Sequence, residues 1–281
     1  MAAFTLQMDH LLDKEKESLS LITLAAIEAA LQAGTLLRQG FGSDFSIQSK
    51  EGIHNLVTEY DHRSEKMIID FLRGETPHAH FLAEESGLSK GKDGGLTWII
   101  DPLDGTVNFA HKIPMFSVSI AAERNGEVIS GVVYHPLVHE LFVAEKGKGS
   151  FLNGQKLGVS KVGTLEEAIL ATGFPYNLIE NPLQCIEHFV DILKLGIPIR
   201  RLGAATLDLA YTAAGRVEGF FEVSLAPWDC AAGKLLVEEA GGKVTCWDKS
   251  PFDIHSRSPI LASNGVIHEA CSSTLCVRKS Q

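Results

Sequence analysis

Residues 98–108 read Trp-Ile-Ile-Asp-Pro-Leu-Asp-Gly-Thr-Val-Asn, and they constrain this chain more than any other stretch. The apolar run Trp98-Ile99-Ile100 predicts a buried strand that stops at Asp101-Pro102, because proline cannot donate to a sheet ladder. Asp101 and Asp104 then fall on the turn leaving the strand end. Gly105 and Thr106 follow, where a helix is expected to start. Backbone N–H groups at such a start bind phosphate oxygens, and a glycine there lets the anion approach closely. Acids beside an anion-binding turn require a cation between them. The segment therefore predicts a metal-bridged phosphate site.

Each acid also has an ordinary explanation, since Asp and Pro build turns and Asp caps helices. Two further segments shift the balance. Phe81-Leu82-Ala83-Glu84-Glu85-Ser86 is a second short apolar run ending in acids. Ala226-Pro227-Trp228-Asp229 leads into a helical pattern closed by Gly241-Gly242, with Asp229 at the helix start, where its structural role would be an N-cap. Acidic ends on all of these elements favour one shared site.

Glu84-Glu85-Ser86, the segment from Trp98 to Phe109, and Trp228-Asp229 through Gly242 resemble the three signatures of the inositol monophosphatase family, which belongs with the lithium-sensitive and fructose-1,6-bisphosphate phosphatases. The likeness runs from about Thr23 to the end of the chain, in order and with family-like spacings.

At 281 residues the chain can bury a substantial core, and 45% hydrophobic with 21% charged residues describes an ordinary globular protein. A formal net charge of -10 offers nucleic acid no sequence-independent attraction, so none is expected as a partner. It also repels small anions, so a phosphorylated substrate needs metal ions or a few local Lys and Arg. Residues 1–20 mix Asp, Lys and Glu and contain no secretory apolar region. Leu24, Ile27, Leu31 and Thr35 share a face at helical spacing, predicting an amphipathic core helix over 21–37 instead of a membrane span. The five cysteines, odd in number and without a Cys-x-x-Cys pair, fit reduced thiols in the cytoplasm. His78 and His80 have no matching Cys or His cluster, so no zinc site is expected.

Along the chain, Ser46 to Val57 predicts two short strands around a turn at Lys50-Glu51-Gly52, and Thr58 is a natural N-cap for a helix carrying Met67, Ile68, Phe71 and Leu72. Strands are predicted over 116–124, 128–135 and 140–145, separated by Asn125-Gly126 and Pro136, with a hairpin at 151–155. From Ile169 onward, helices (182–195, 205–214, 229–240) alternate with strands (198–201, 217–222, 243–246, 259–262). The order shifts near residue 160, predicting an α+β half (1–160) and an α/β half (161–281) packed as one unit. The resemblance implies a five-layered αβαβα sandwich, with Glu84, Asp101 and Asp104 from the first half facing Asp229 from the second.

Two carboxylates ~4 Å apart repel by about 4 kcal/mol at an effective dielectric near 20, so these four acids would not assemble bare. An oxygen-only donor set suits Mg²⁺ better than zinc. By resemblance, one Mg²⁺ would bind Glu84, Asp101 and the Leu103 carbonyl, and a second Asp101, Asp104 and Asp229; a third near Glu84 stays open. The implied chemistry is in-line hydrolysis of a phosphomonoester by water, with Thr106 and Asp61 orienting the water and accepting its proton and Glu84 at the catalytic metal. Asp61 ends Asn55-Leu56-Val57-Thr58-Glu59-Tyr60-Asp61, which is similar to the family's Asp-x-Val-Thr-x-x-Asp; Asn55 replaces its first acid, so only Asp61 carries over. Asp104, Gly105, Thr106 and Asp229 would also face the substrate. Arg200-Arg201-Leu202-Gly203-Ala204-Ala205 resembles the family's substrate loop, giving Arg200, Gly203 and Ala205 as contacts, and Glu222 matches an acid that binds sugar hydroxyls. Ala204 stands where many relatives have Ser or Thr. Glu85 is expected to support Glu84 without binding metal.

The expected function is a lithium-sensitive, Mg²⁺-dependent hydrolysis of inositol monophosphate by a homodimer. Alternatives are the same chemistry on fructose 1,6-bisphosphate, histidinol phosphate or a nucleotide 3′-phosphate. A non-catalytic regulatory protein on this scaffold, contacting RNA or the transcription machinery, is a further alternative. Retention of Asp61, Glu84, Asp101, Asp104, Thr106 and Asp229 favours the enzyme.

Overall fold

The computed structural model describes residues 19–50, 55–92 and 95–275. Helix α1 (Leu21–Gly40) starts at Ser20, whose hydroxyl accepts from the Thr23 N–H. Its buried stripe is mostly alanine (Ala25, Ala26, Ala29, Ala30, Ala33) with Ile27 and Leu37. The expected face of Leu24, Ile27, Leu31 and Thr35 is corrected accordingly: Ile27 is buried, Leu24 and Leu31 are half-buried at the edge, and Thr35 is exposed with its hydroxyl on the Leu31 carbonyl. Close approach is the reason, since a Cβ on Gly34 would lie 2.4 Å from the Tyr134 ring. By length and composition α1 could cross a membrane, yet 56% of its most apolar window is buried inside the protein.

Strands β1 (Ile47–Ser49) and β2 (Leu56–Thr58) pair antiparallel; the Glu51-Gly52 part of the turn expected between them lies outside the described residues. Helix α2 (Glu59–Glu75) springs from Thr58 through a capping box closed by Asp61. Then come β3 (His80–Ala83), β4 (Gly87–Ser89), β5 (Thr97–Asp104), the short α3 (Thr106–Ala110), β6 (Ser117–Arg124), β7 (Glu127–His135), β8 (Glu140–Glu145), β9 (Gly149–Leu152) and β10 (Gln155–Lys156). These build an eight-stranded sheet in the order β10-β9-β8-β7-β6-β5-β3-β4, antiparallel except for the β3/β5 pair.

The rest of the chain supplies β11 (Leu170–Thr172), α4 (Cys185–Lys194), β12 (Ile199–Arg200), α5 (Ala205–Ala213), β13 (Gly219–Glu222), α6 (Pro227–Glu239), β14 (Lys243–Cys246), β15 (Ile260–Ser263) and α7 (His268–Leu275). The second sheet runs β12-β11-β13-β15-β14. Helix α4 starts later than residue 182, because Asn181, Leu183 and Gln184 take positive φ and break the run into 3₁₀ turns.

Packing gives the αβαβα order directly. Helices α1 and α2 cover one face of the large sheet, α5 and α6 lie between the sheets, and α4 and α7 pack together against the outside of the second sheet. Along β6, Val118, Ile120 and Ala122 join the α1/α2 core while Ala121 joins the core between the sheets, the period of two a sheet buried on both faces requires. Gly131 lets α6 lie directly on β7: a Cβ there would meet the Ala232 carbonyl at 2.8 Å.

Candidate active site

Strand β5 does not stop at Asp101-Pro102. It continues to Asp104 through a register shift, with Asp101 opposite Ser119 and Asp104 opposite Ser117 on β6. Pro102 and Leu103 thus face Val118 alone, a bulge that absorbs the proline's missing N–H and keeps both acids at one sheet end. Gly105 follows at φ 88°, and a Cβ there would lie 2.8 Å from the Met115 carbonyl, so only glycine fits before α3. Asp101 is buried and accepts the Leu103 N–H at 3.0 Å.

Thr106 and Asp61, 45 residues apart, meet: the threonine hydroxyl donates to Asp61 Oδ1 at 2.8 Å and lies 3.0 Å from the Leu103 carbonyl. Asp61 is not a solvated helix acid. It is fully buried, and its Oδ2 accepts from the Thr58 N–H (2.7 Å) and hydroxyl (2.6 Å). Asp229 sits at the third position of α6 and not at the N-cap its ordinary role at a helix start would give, because the helix already begins at Pro227; its Oδ2 accepts the Ala226 N–H at 2.7 Å. Glu84, just past β3, accepts from Lys50 Nζ at 2.8 Å, and the same ammonium reaches Glu85 at 2.5 Å. Glu85 also fixes the strand end, its N–H donating to Glu65 Oε2.

Burial and neighbouring charge act together on Asp101, Asp104 and Asp229. Burial first, then the charges of Glu84, Asp104 and Asp229, push Asp101 well above the usual carboxylate range. Burial raises Asp104 to about 6, against hydrogen bonds from Thr206. Asp229 goes to about 8 through burial, then Asp104 and Glu84. Burial also lifts Glu222 to about 8, with Asp229 and Asp104 adding and Arg201 opposing. As arranged here, no three acidic, histidine or cysteine side chains among the described residues converge on one point. Glu84 is turned to Lys50, Asp104 to Thr206 and Asp229 to the Ala226 N–H. The donor set still fits hard cations: four buried or half-buried carboxylates, with burial and neighbouring charge opposing ionisation of Asp101, Asp104 and Asp229, and oxygen ligands only.

Asp104 is met by a residue the sequence reading missed. Thr206 donates its N–H at 2.8 Å and its hydroxyl at 2.5 Å to Asp104 Oδ2. The N-cap of α5 is Ala204, which has no capping side chain, so Asp104 caps that helix from the other sheet. Thr206 and Ala205 open α5, and Gly203 (φ 79°) precedes it. Arg200 is not brought in: it is exposed, with Nη1 on the neighbouring Ile199 carbonyl. Its neighbour Arg201 lies over the Phe174 ring at 5.6 Å, and its charge acts on Glu222 and Asp208. Asp208, buried in α5 with Oδ1 unpartnered, was also missed. Glu222 ends β13 against Gly173, where a Cβ would collide with its carboxylate at 2.1 Å.

The profile described as "Inositol monophosphatase family" matches residues 18–279. The chain belongs to the inositol monophosphatase family. An inositol-1-monophosphatase of Caulobacter vibrioides is 44% identical over 245 residues, 86% of this chain and 96% of that protein. The Nus factor SuhB of Escherichia coli strain K12 is 44% identical over 221 residues, 78% and 83% of the two chains. The crystal structure of extragenic suppressor protein suhB from Bartonella henselae superposes with a TM-score of 0.87 at 39% identity, covering 92% of this chain and 99% of that one. Membership of the inositol monophosphatase family supports a phosphatase, in a family that is generally metal-dependent.

Proposed function

We propose that this protein is a Mg²⁺-dependent phosphomonoesterase acting on a small phosphorylated polyol, inositol monophosphate first. The observation that carries the reading is the pairing of Thr106 with Asp61 beside the buried Asp101 and the half-buried Asp104 and Asp229. Glu84, Asp101 and the Leu103 carbonyl would hold one ion, and Asp101, Asp104 and Asp229 a second. When bound, such ions supply Lewis-acid activation and charge neutralisation for in-line attack by water.

The chain's own groups do the rest. Thr106 has one hydroxyl proton, and the Asp61 carboxylate at 2.8 Å is its stronger acceptor. Its oxygen lone pairs are then left to accept from a water, orienting it and directing the water's proton toward the Thr106–Asp61 pair. Backbone N–H groups at Gly105 and Thr106 would hold phosphate oxygens at the start of α3. Glu222, with the loop from Gly203 to Ala205, would take the substrate hydroxyls, and Arg201 replaces Arg200 as the nearby cation.

Two features extend the reading. Ile186, Val190 and Leu193 expose one apolar side of α4 (37–45% exposed), a surface a second copy would cover in a homodimer. Cys185, Cys230, Cys246 and Cys271 are free thiols, which supports a reducing cytoplasm. A second role beside catalysis is favoured by the relative named Nus factor SuhB. An Asp101→Asn protein that still restores growth to a deletion strain would establish such a role.

Phosphate release from inositol monophosphate, fructose 1,6-bisphosphate, histidinol phosphate and a nucleotide 3′-phosphate, with Mg²⁺ and with chelator, tests the proposal. Turnover that is best on the inositol ester and lost on chelation is expected; Mg²⁺-independent turnover would overturn it. Lithium should inhibit at millimolar levels when Mg²⁺ is limiting, and an unaffected rate would count against the second ion.

A further inference from the structure

Asn108 follows the turn at Gly105 and Thr106. It is buried at 9% exposure, in the five-residue helix α3. Its side-chain amide looks away from that helix. Nδ2 donates to the Met115 carbonyl at 2.7 Å and to the Leu202 carbonyl at 2.9 Å, with the Gly203 carbonyl at 3.4 Å. An amide nitrogen has only two hydrogens, so both are committed.

The two main partners belong to different parts of the molecule. Met115 leads into β6, and its carbonyl is the atom that a Cβ on Gly105 would strike. Leu202 and Gly203 form the connection from β12 to α5. Gly203 has φ 79°, and a Cβ there would lie 3.0 Å from Asn108 Nδ2 and 3.3 Å from Oδ1. The glycine therefore serves both the left-handed turn and the close seating of the amide. At the other end of the same connection, Asp104 holds the Thr206 N–H and hydroxyl. Residues 202–206 are thus stapled at both ends by side chains that stand on either side of Gly105.

We infer that Asn108 is a positioning residue: it fixes the Leu202–Ala205 loop against the phosphate turn and so sets where the alcohol part of a substrate lies relative to its phosphate. This rests on the phosphomonoesterase reading. The staple is a neutral hydrogen-bond donor set, so no acid serves in its place. Asn108→Asp keeps the shape and turns two donors into acceptors facing carbonyl oxygens, which is the sharpest test of the donor role.

Asn108→Asp and Gly203→Ala, which presses on the same amide from the other side, are compared with the unmodified protein. The readouts are steady-state kinetics on inositol 1-phosphate and on p-nitrophenyl phosphate, Mg²⁺ titration by calorimetry, and tryptic cleavage after the exposed Arg200 and Arg201. KM for the polyol ester should rise about tenfold more than KM for the aryl ester, as expected when a contact loop is displaced by about an ångström. Cleavage at Arg200–Arg201 should quicken in both variants, and Mg²⁺ affinity should hold within about twofold. Equal kinetic changes on the two esters with unchanged cleavage in either variant would overturn the inference and leave Asn108 a stabiliser of α3. Should the unmodified protein hydrolyse neither ester, the phosphatase reading fails by itself, while the cleavage rates still decide whether the staple exists.

Discussion

Replacing Thr106 by Val removes one hydroxyl and little else, and the surroundings of that hydroxyl set the size of the effect. Thr106 is the first residue of α3, and the N-cap is Gly105, with no side-chain cap bond. Helix capping is therefore not what the hydroxyl does. It supplies one of the three hydrogen bonds on the buried Asp61 carboxylate, beside those from the Thr58 N–H and hydroxyl. Leaving Asp61 Oδ1 without that donor should cost about 1–3 kcal/mol of stability. Losing the group that orients the attacking water should lower kcat by ~10²-fold or more, about 2.7 kcal/mol or more of barrier, with KM within about twofold. Thr106→Ser keeps the hydroxyl and should recover most of kcat. Thermal melting and steady-state kinetics on the same preparations separate the two effects. A Thr106→Val protein that is destabilised yet turns over at the unmodified rate would remove Thr106 and Asp61 from the chemistry and leave them a structural pair.

Asp101→Asn should abolish Mg²⁺ binding by calorimetry and reduce turnover by at least about 10²-fold. In chelator it should melt higher than the unmodified protein, because the charges of Glu84, Asp104 and Asp229 no longer oppose a buried acid; full-strength Mg²⁺ binding would reject Asp101 as the bridge. Above about pH 8, where Glu222 carries its charge, Glu222→Gln should raise KM for a polyol phosphate about tenfold or more with little change for an aryl phosphate, the effect of losing a charge-assisted bond to a hydroxyl; equal effects would make Glu222 structural. His268 gives a pH dependence far from the acids. It is 1% exposed, and burial lowers it from 6.5 to about 4. The Thr245 hydroxyl bonds the Cys246 carbonyl at 2.6 Å, so His268 Nε2 carries the ring proton and Nδ1 accepts from Ser263. The unfolded chain takes up this proton first, so stability contributed by neutral His268 is present above about pH 6.5 and is lost as pH falls toward 4, on the order of 2–3 kcal/mol. His268→Gln should flatten that limb of a melting-temperature profile between pH 4 and 6.5, and an unchanged limb would assign it to other groups.

The parts of the fold that were legible are those written in local chemistry. Thr58 is a helix N-cap, Asn125-Gly126 is a hairpin turn, and Asp-Gly-Thr after an apolar run marks a strand end before a helix. In helix α1 the large side chains at helical spacing do not mark the buried stripe. Its buried face is instead built of small residues, which let the helix sit close under the Tyr134 ring. The bulge in β5 was invisible for a different reason: pairing register depends on β6, which the local sequence of β5 does not specify. Arg200 and Arg201 show the same limit on one strand end. Side chains alternate along a strand, so a choice between adjacent arginines depends on how β12 is placed against β11.

The contacts that sequence reading could not reach are those that turn two halves into one site. Asp104 is recognisable as an acid at a strand end, but its partner Thr206 is 102 residues away and carries no motif of its own. Ala204 offered the one hint, as a helix start without a capping side chain, a vacancy that some other oxygen must fill. Asp104 fills it. The same carboxylate therefore serves as helix cap and as candidate metal ligand, and these demands meet at one oxygen pair. With Oδ2 accepting both the N–H and the hydroxyl of Thr206, the carboxylate is held in one orientation, so Thr206 aims Asp104 as much as it stabilises α5. Asn108 on the far side of Gly105 completes the frame. A turn that would cradle phosphate and a loop that would receive its alcohol are held to each other by neutral hydrogen bonds on one side and a charged cap on the other, and the distance between them is set by protein atoms alone.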